Sequence, residues 1–152
     1  MPNIPEREAR ALLGRRLLCR EYDEWIELGK YPNAFLLQAG LLNELGEATG
    51  LTVELRYENA TATRPRKFLF TVFARNHYGL ERVYQLEVNQ ATEQIKNSHE
   101  LPHEHIGAVR IVGGEIWRRW EYDAALRYFC GQTHIEFQPP LSAPLVQPRR
   151  KR

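Results

Sequence analysis

Residues 51–59 constrain the fold more than any other stretch. Leu51, Val53, Leu55 and Tyr57 alternate with Thr52, Glu54, Arg56 and Glu58, a pattern that gives a strand one buried face and one wet face. Phe68, Leu69, Phe70, Val72 and Phe73 follow, apolar on both faces as a central strand requires. Residues 76–79 predict a hairpin turn, and residues 81–89 a third strand with Tyr84, Leu86 and Val88 on one side. Strands joined by such short turns predict an antiparallel meander.

Helices are expected around this sheet. Asn3 is an N-cap type, with Pro5 in the first turn and Glu6 three residues after the cap. Ala9, Leu12, Leu13 and Leu17 then recur at helical spacing. Residues 17–26 read either as a continuation of that helix or as a strand. Asn33 suits a second N-cap, and the apolar run Phe35, Leu36, Leu37, Ala39, Leu41, Leu42 and Leu45 predicts a core helix over 33–48, ended by Gly50. Residues 106–112 predict a strand, Gly113-Gly114 a hairpin turn, and residues 115–120 its return. Tyr122, Ala125, Leu126, Phe129 and Cys130 mark a closing amphipathic helix, stopped by Gly131. The expected fold class is therefore α+β: an antiparallel sheet of four to five strands, with N-terminal helices and a C-terminal helix packed on it. A single domain is expected over 1–138, and residues 139–152 read as a Pro-rich basic tail without fixed structure.

Charge limits the function classes. The net charge is +2, and Arg149, Arg150, Lys151 and Arg152 supply +4 of it, which leaves the body at −2. Any nucleic-acid binding must then use a local basic patch rather than the whole surface. No apolar run approaches the ~20 residues of a membrane span. The N-terminus lacks the apolar core of an export signal, so the cytoplasm is the expected location and the membrane is not an expected partner. Cys19 and Cys130 match no zinc or redox spacing, and reduced thiols are expected.

Three of the five histidines fall in residues 97–107: His99, His103 and His105, the last two separated by one residue and flanked by Pro102 and Gly107. On an extended chain residues two apart share a face. Two neighbouring imidazoles suit acid–base work near neutral pH. RNA cleavage needs a base for the 2′-hydroxyl, an acid for the leaving oxygen, and a cation for the developing charge. His103 and His105 fit the first two roles, and Arg110 the third. Two other readings compete: histidines that only hydrogen-bond the backbone or face solvent, and a metal site built from His99, His103 and His105 with Glu100 or Glu104. Acid–base chemistry is preferred, with no metal or other cofactor expected.

Arg64, Arg66, Lys67, Arg75 and Arg82 lie near the first two strand connections, interleaved with Tyr57, Phe68, Phe70, Phe73 and Tyr78. Such a mixture binds single-stranded nucleic acid by charge and stacking, although aromatics in alternating strands are more simply core. Arg64, Arg66, Lys67, Arg75 and the basic run Arg149, Arg150, Lys151 and Arg152 are the candidate nucleic-acid contacts. Trp117 and Trp120 cannot share one face of a strand, so one of them is expected to be exposed. Phosphate loops, nucleophile elbows and HExxH signatures are absent from the sequence.

Residues 82–129 resemble the TumE-type toxins of bacterial toxin–antitoxin modules. The resemblance runs through Val83-Tyr84-Gln85-Leu86-Glu87-Val88-Asn89, the H-x-H-I-G element from His103 to Gly107, an aromatic-bearing strand and a terminal amphipathic helix. It implies a small α+β protein that inhibits growth by acting on RNA and is neutralised by a cognate antitoxin, with His103 and His105 inheriting the functional role. The expected function is a toxin-like RNA-directed endonuclease. The alternative is a non-catalytic adaptor, of the kind a phage or mobile element encodes, that binds a protein partner or a nucleoprotein complex.

Overall fold

The computed structural model describes residues 4–29, 33–61, 65–90 and 102–144. In chain order they form α1 (Glu6–Leu12), β1 (Leu17–Cys19), β2 (Ile26–Glu27), β3 (Ala34–Leu42), β4 (Ala48–Glu58), β5 (Lys67–Asn76) and β6 (Gly79–Asn89). There follow β7 (His103–Ile106), β8 (Val109–Val112), a 3-10 helix (Glu115–Arg119), α2 (Tyr122–Thr133) and β9 (Ile135–Phe137). All nine strands of the described residues belong to one sheet, in the order β8-β7-β6-β5-β4-β3-β1-β9, with β2 paired to β3 off this path. Neighbours from β3 to β8 are antiparallel, whereas β1 and β9 pair parallel.

The protein is thus mostly β, not the α+β fold of four to five strands with N-terminal helices that the sequence suggests. The largest correction is β3, which replaces the expected helix over 33–48. Phe35, Leu37, Ala39 and Leu41 are buried, while Gln38 and Gly40 are exposed and Leu36 and Leu42 lie between. The run is dense in leucine because its core face needs it and Leu36 and Leu42 remain half-buried on the other; density alone mimics a buried helix. Asn33 is in the left-handed region (φ 62°) rather than at a helix N-cap. Asn43 makes the β3–β4 turn, its Oδ1 accepting the backbone N–H groups of Leu45 and Glu47 at 2.9 Å each.

The antiparallel strands read at 51–59, 68–73 and 81–89 are present as β4, β5 and β6. Their inward residues Val53, Leu55, Phe68, Phe70, Val72, Tyr84 and Leu86 are all buried. α2 closes this face: Phe129 packs on Phe70 and Tyr84, with ring centroids 5.6 and 5.7 Å apart. Tyr122 meets Tyr57 and Phe70, and α1 adds Ala9 from its own face. Each such large side chain contributes ~1.5–3 kcal/mol by leaving water. α2 runs through Gly131 to Thr133 and stops at His134, which takes the left-handed cap conformation (φ 60°). α1 starts after Pro5; Asn3 lies outside the described residues. Among the described residues no helix is long and apolar enough to cross a membrane.

Two further corrections fall near the histidines. The strand expected over 106–112 is a hairpin, β7 and β8, turning at Gly107, whose φ is 57° and whose missing Cβ makes room for the backbone of Ile4 and Pro5. The expected hairpin at Gly113-Gly114 is instead the entry to the 3-10 helix, because the Trp117 ring lies directly over Gly113. Downstream, residues 138–144 run along the body. Tyr22 Oη donates to Pro139 O, Trp25 Nε1 to Ser142 O at 2.9 Å, and Tyr122 Oη to Leu141 O at 3.2 Å.

The Gly113–Trp117 contact yields a test. Gly113→Ala puts a methyl into the indole and should cost ~1–3 kcal/mol, the usual penalty of overpacking. Gly114→Ala, with its nearest obstacle 4.0 Å away, should be close to neutral. Denaturant melts of the two variants check this, and equal stabilities would contradict it.

Candidate functional site

β7 is short, and its two faces do different things. Glu104 and Ile106 turn toward the core and are buried; His103 and His105 turn to the opposite, polar face. The register sets their neighbours. Glu87 of β6 pairs with His103, while Gln85 pairs with His105, which in turn pairs with Arg110 of β8. Directly paired residues share a face, so two rows cross this part of the sheet. One holds Leu69, Glu87, His103 and Val112, the other Thr71, Gln85, His105 and Arg110. The two imidazoles meet edge to face with centroids 4.9 Å apart.

The structure thus brings His103, His105 and Arg110 together, yet the rings are not equivalent. His103 is 4% exposed, and its Nε2 lies 2.9 Å from Glu87 Oε2. Lys67 Nζ reaches the other Glu87 oxygen at 3.0 Å. Burial pushes the Glu87 carboxyl up, but the hydrogen bonds from His103 and Lys67 outweigh it and hold the pKa at about 2. An ionised carboxylate only accepts, so Nε2 of His103 carries a proton.

His105 is half-buried and has different company. Burial first, then the positive charges of Arg82, His103 and Arg110, lower its pKa to about 4 against the opposing pull of Glu87. It is a neutral imidazole in a cationic setting at pH 7. Arg82 reaches Gln85 Oε1 at 3.4 Å, and its Nε is buried without a hydrogen bond. Gln85 donates in turn to Thr71 Oγ1 at 3.0 Å. Burial also lowers the pKa of Arg82.

The remaining sequence candidates scatter. Lys67 is committed to Glu87. Arg66 is half-buried at the start of β5, whereas Arg75 is exposed near its far end, four residues and so ~13 Å along the strand from Thr71. Arg64, Arg149, Arg150, Lys151 and Arg152 lie outside the described residues, as do His99 and Glu100. Tyr57, Phe68 and Phe70 are core, while Tyr78 is exposed at the β5–β6 turn. Glu104 cannot join His103 and His105 around a metal because it points to the other face. Among the described residues no cluster of three His, Cys, Asp or Glu could hold one. Trp117 and Trp120 do share a face, stacked at 4.8 Å and 18°, because a 3-10 helix superposes residues three apart. Both also pack on Tyr128.

Sequence reasoning missed Glu87, and it assigned Arg82 no role in the histidine cluster. The alternation of Gln85, Glu87 and Asn89 against Tyr84, Leu86 and Val88 does signal a polar face, but the β6–β7 register that selects Glu87 for His103 leaves no local trace. No family model, curated protein or solved structure matches this chain.

The two shifted groups predict how stability responds to acid. His105 titrates near 4 when folded against 6.5 when free, so the unfolded chain binds that proton more readily. Its contribution is complete above the unfolded value and is lost as pH falls from there toward 4. Glu87, at about 2 against 4.5, adds a second loss at lower pH. Melting temperature should therefore fall in two stages on acidification. His105→Gln should remove the upper stage and keep the lower one; an unchanged profile would refute the assignment.

Proposed function

We propose that this chain is a toxin-like, RNA-directed endonuclease that works without a metal on the polar sheet face around His105. The observation that carries the reading is a neutral, half-buried imidazole whose charged neighbours include two guanidiniums, those of Arg82 and Arg110. A single-stranded RNA backbone offers a phosphate to the guanidiniums and a 2′-hydroxyl to the imidazole. His105 takes the hydroxyl proton. The 2′-oxygen then bonds to phosphorus as the bond to the 5′-oxygen breaks, and that oxygen leaves with a proton from water. Arg82 and Arg110 hold the charge that develops on the non-bridging oxygens. His103, clamped by Glu87, is a positioning residue that fixes the His105 ring. A cognate antitoxin would neutralise such an enzyme by covering this face.

His105→Gln should lower cleavage of single-stranded RNA by ~10²–10⁴-fold, the usual cost of losing an acid–base group, while leaving the melting temperature at neutral pH nearly unchanged. Glu87→Gln, which frees His103 to rotate, should lower the rate less and shift its pH profile. Purified protein that leaves RNA intact, or a His105→Gln variant that cleaves normally, would remove the reading.

A second reading, as a non-catalytic interaction protein, is favoured by the edge strand β8. Val112 is 55% exposed and Ile116 66%, beside the outer edge of β8, which pairs with no further strand among the described residues, and a partner protein that adds a strand there would cover both. Growth inhibition that survives His105→Gln but not Ile111→Lys would select this reading.

A further inference from the structure

The segment of residues 138–144 does more than end the described chain. It runs against residues 22–27 and is held there by three aromatic side chains, Tyr22, Trp25 and Tyr122, each donating to one of its carbonyls. Between the two segments lies a cavity of about 560 Å³, lined by Tyr22, Trp25, Phe35 and the carboxylates Asp23, Glu24 and Glu27 together with residues 140–144. That volume is in the range of small-ligand sites. Among the described residues, three aromatic side chains line it together with three acids, and no Lys or Arg does. Among the described residues none of the three carboxylates is engaged in a hydrogen bond or an ion pair.

The chemistry of such a lining selects its occupant. Aromatic faces attract a cation together with the methylene stem that carries it, and a partly desolvated cation gains more from a ring than an exposed one. Carboxylates beside the rings add charge-assisted hydrogen bonds, strongest with a guanidinium. An anionic or purely apolar ligand would leave the acids repelling it or stranded. We infer that this cavity binds an arginine or lysine side chain presented by a basic peptide segment of a partner protein. The site is independent of His105: β2 and β7 lie on opposite sides of the β3–β6 meander, so the two readings stand or fall separately.

The probe is a blocked tri-arginine peptide, with tri-citrulline as its uncharged counterpart, titrated into the full chain at physiological salt. Tri-arginine should bind, shift the Trp25 indole N–H resonance (assigned with Trp25→Phe), and weaken as salt rises, while citrulline should not bind. The triple variant Asp23→Asn, Glu24→Gln, Glu27→Gln should lose at least tenfold in affinity. All three side chains are exposed, so its melting temperature should hold; the single variant Glu24→Gln, expected to lose less, is the second reading if it does not. Glu54→Gln, on the polar sheet face, should bind as the parent does. Absence of binding, equal binding of citrulline, or undiminished affinity in the acid variants would overturn the inference.

Discussion

The hydrogen bond from Tyr84 Oη to the buried carboxylate of Glu104, 2.6 Å long, ties β7 to its register, and the candidate site depends on that register. Glu104 is 4% exposed. A carboxylate so placed costs several kcal/mol unless its oxygens are satisfied. Tyr84 supplies one donor, Tyr128 another, and Gln132 Nε2 lies 3.4 Å from both oxygens. Two of these three donors come from α2, the helix whose Phe129 packs on Phe70 and Tyr84. Burial and the Glu104 charge together push both tyrosine pKa values up, so their hydroxyls keep their protons and remain donors. A one-residue slip of β7 would turn Glu104 to the polar face and both imidazoles into the core. The donors around Glu104 are thus a reason that His103 and His105 face outward at all.

The polar face divides its charges unequally. Glu87 takes both His103 and Lys67, so the acid nearest the histidines is consumed by one row. In the other row a neutral imidazole stands among guanidiniums. Burial lowers the pKa of His105 first, and the like charges kept close to it in that half-buried setting lower it further. An incoming anion relieves the repulsion among them. The same arrangement therefore weakens the folded state in acid and opposes the approach of a further cation. Two adjacent histidines of one sequence motif take different parts because β6 offers a carboxylate to one and an amide to the other.

How much of this was legible depended on whether the signal was local. β4, β5 and β6 could be read because strict alternation along each strand reports which face is wet. β3 could not, since Leu36 and Leu42 make its second face half apolar and period two fades where both faces are greasy. β1 and β9 are three residues each, too short to carry any period; they exist because residues 17–19 and 135–137 find one another across the whole chain. The histidine pair was visible as a spacing, and its shared face followed from strand geometry. What could not be read was the partner set. Glu87 joins the site through the β6–β7 register, which a buried carboxylate on the opposite face helps to hold, and Arg82 through its reach to Gln85.

The width of the sheet finally explains how one small body carries two regions of opposite character. From β7 to β2 the sheet steps through five interstrand spacings of ~4.8 Å, about 24 Å along its surface. The Debye length at physiological salt is ~8 Å, so the carboxylates at 23, 24 and 27 contribute little to the potential at Arg82 and Arg110. Were they close, the acids would offset part of the guanidinium charge around His105, although its burial would still hold its pKa down. The meander separates them with strands whose polar face is internally paired, Arg56 with Glu58 and Gln38 with Glu54. A body with a net charge of only −2 outside its four basic terminal residues can in this way keep a group of guanidiniums at one end and an acidic, aromatic lining at the other without either cancelling the other.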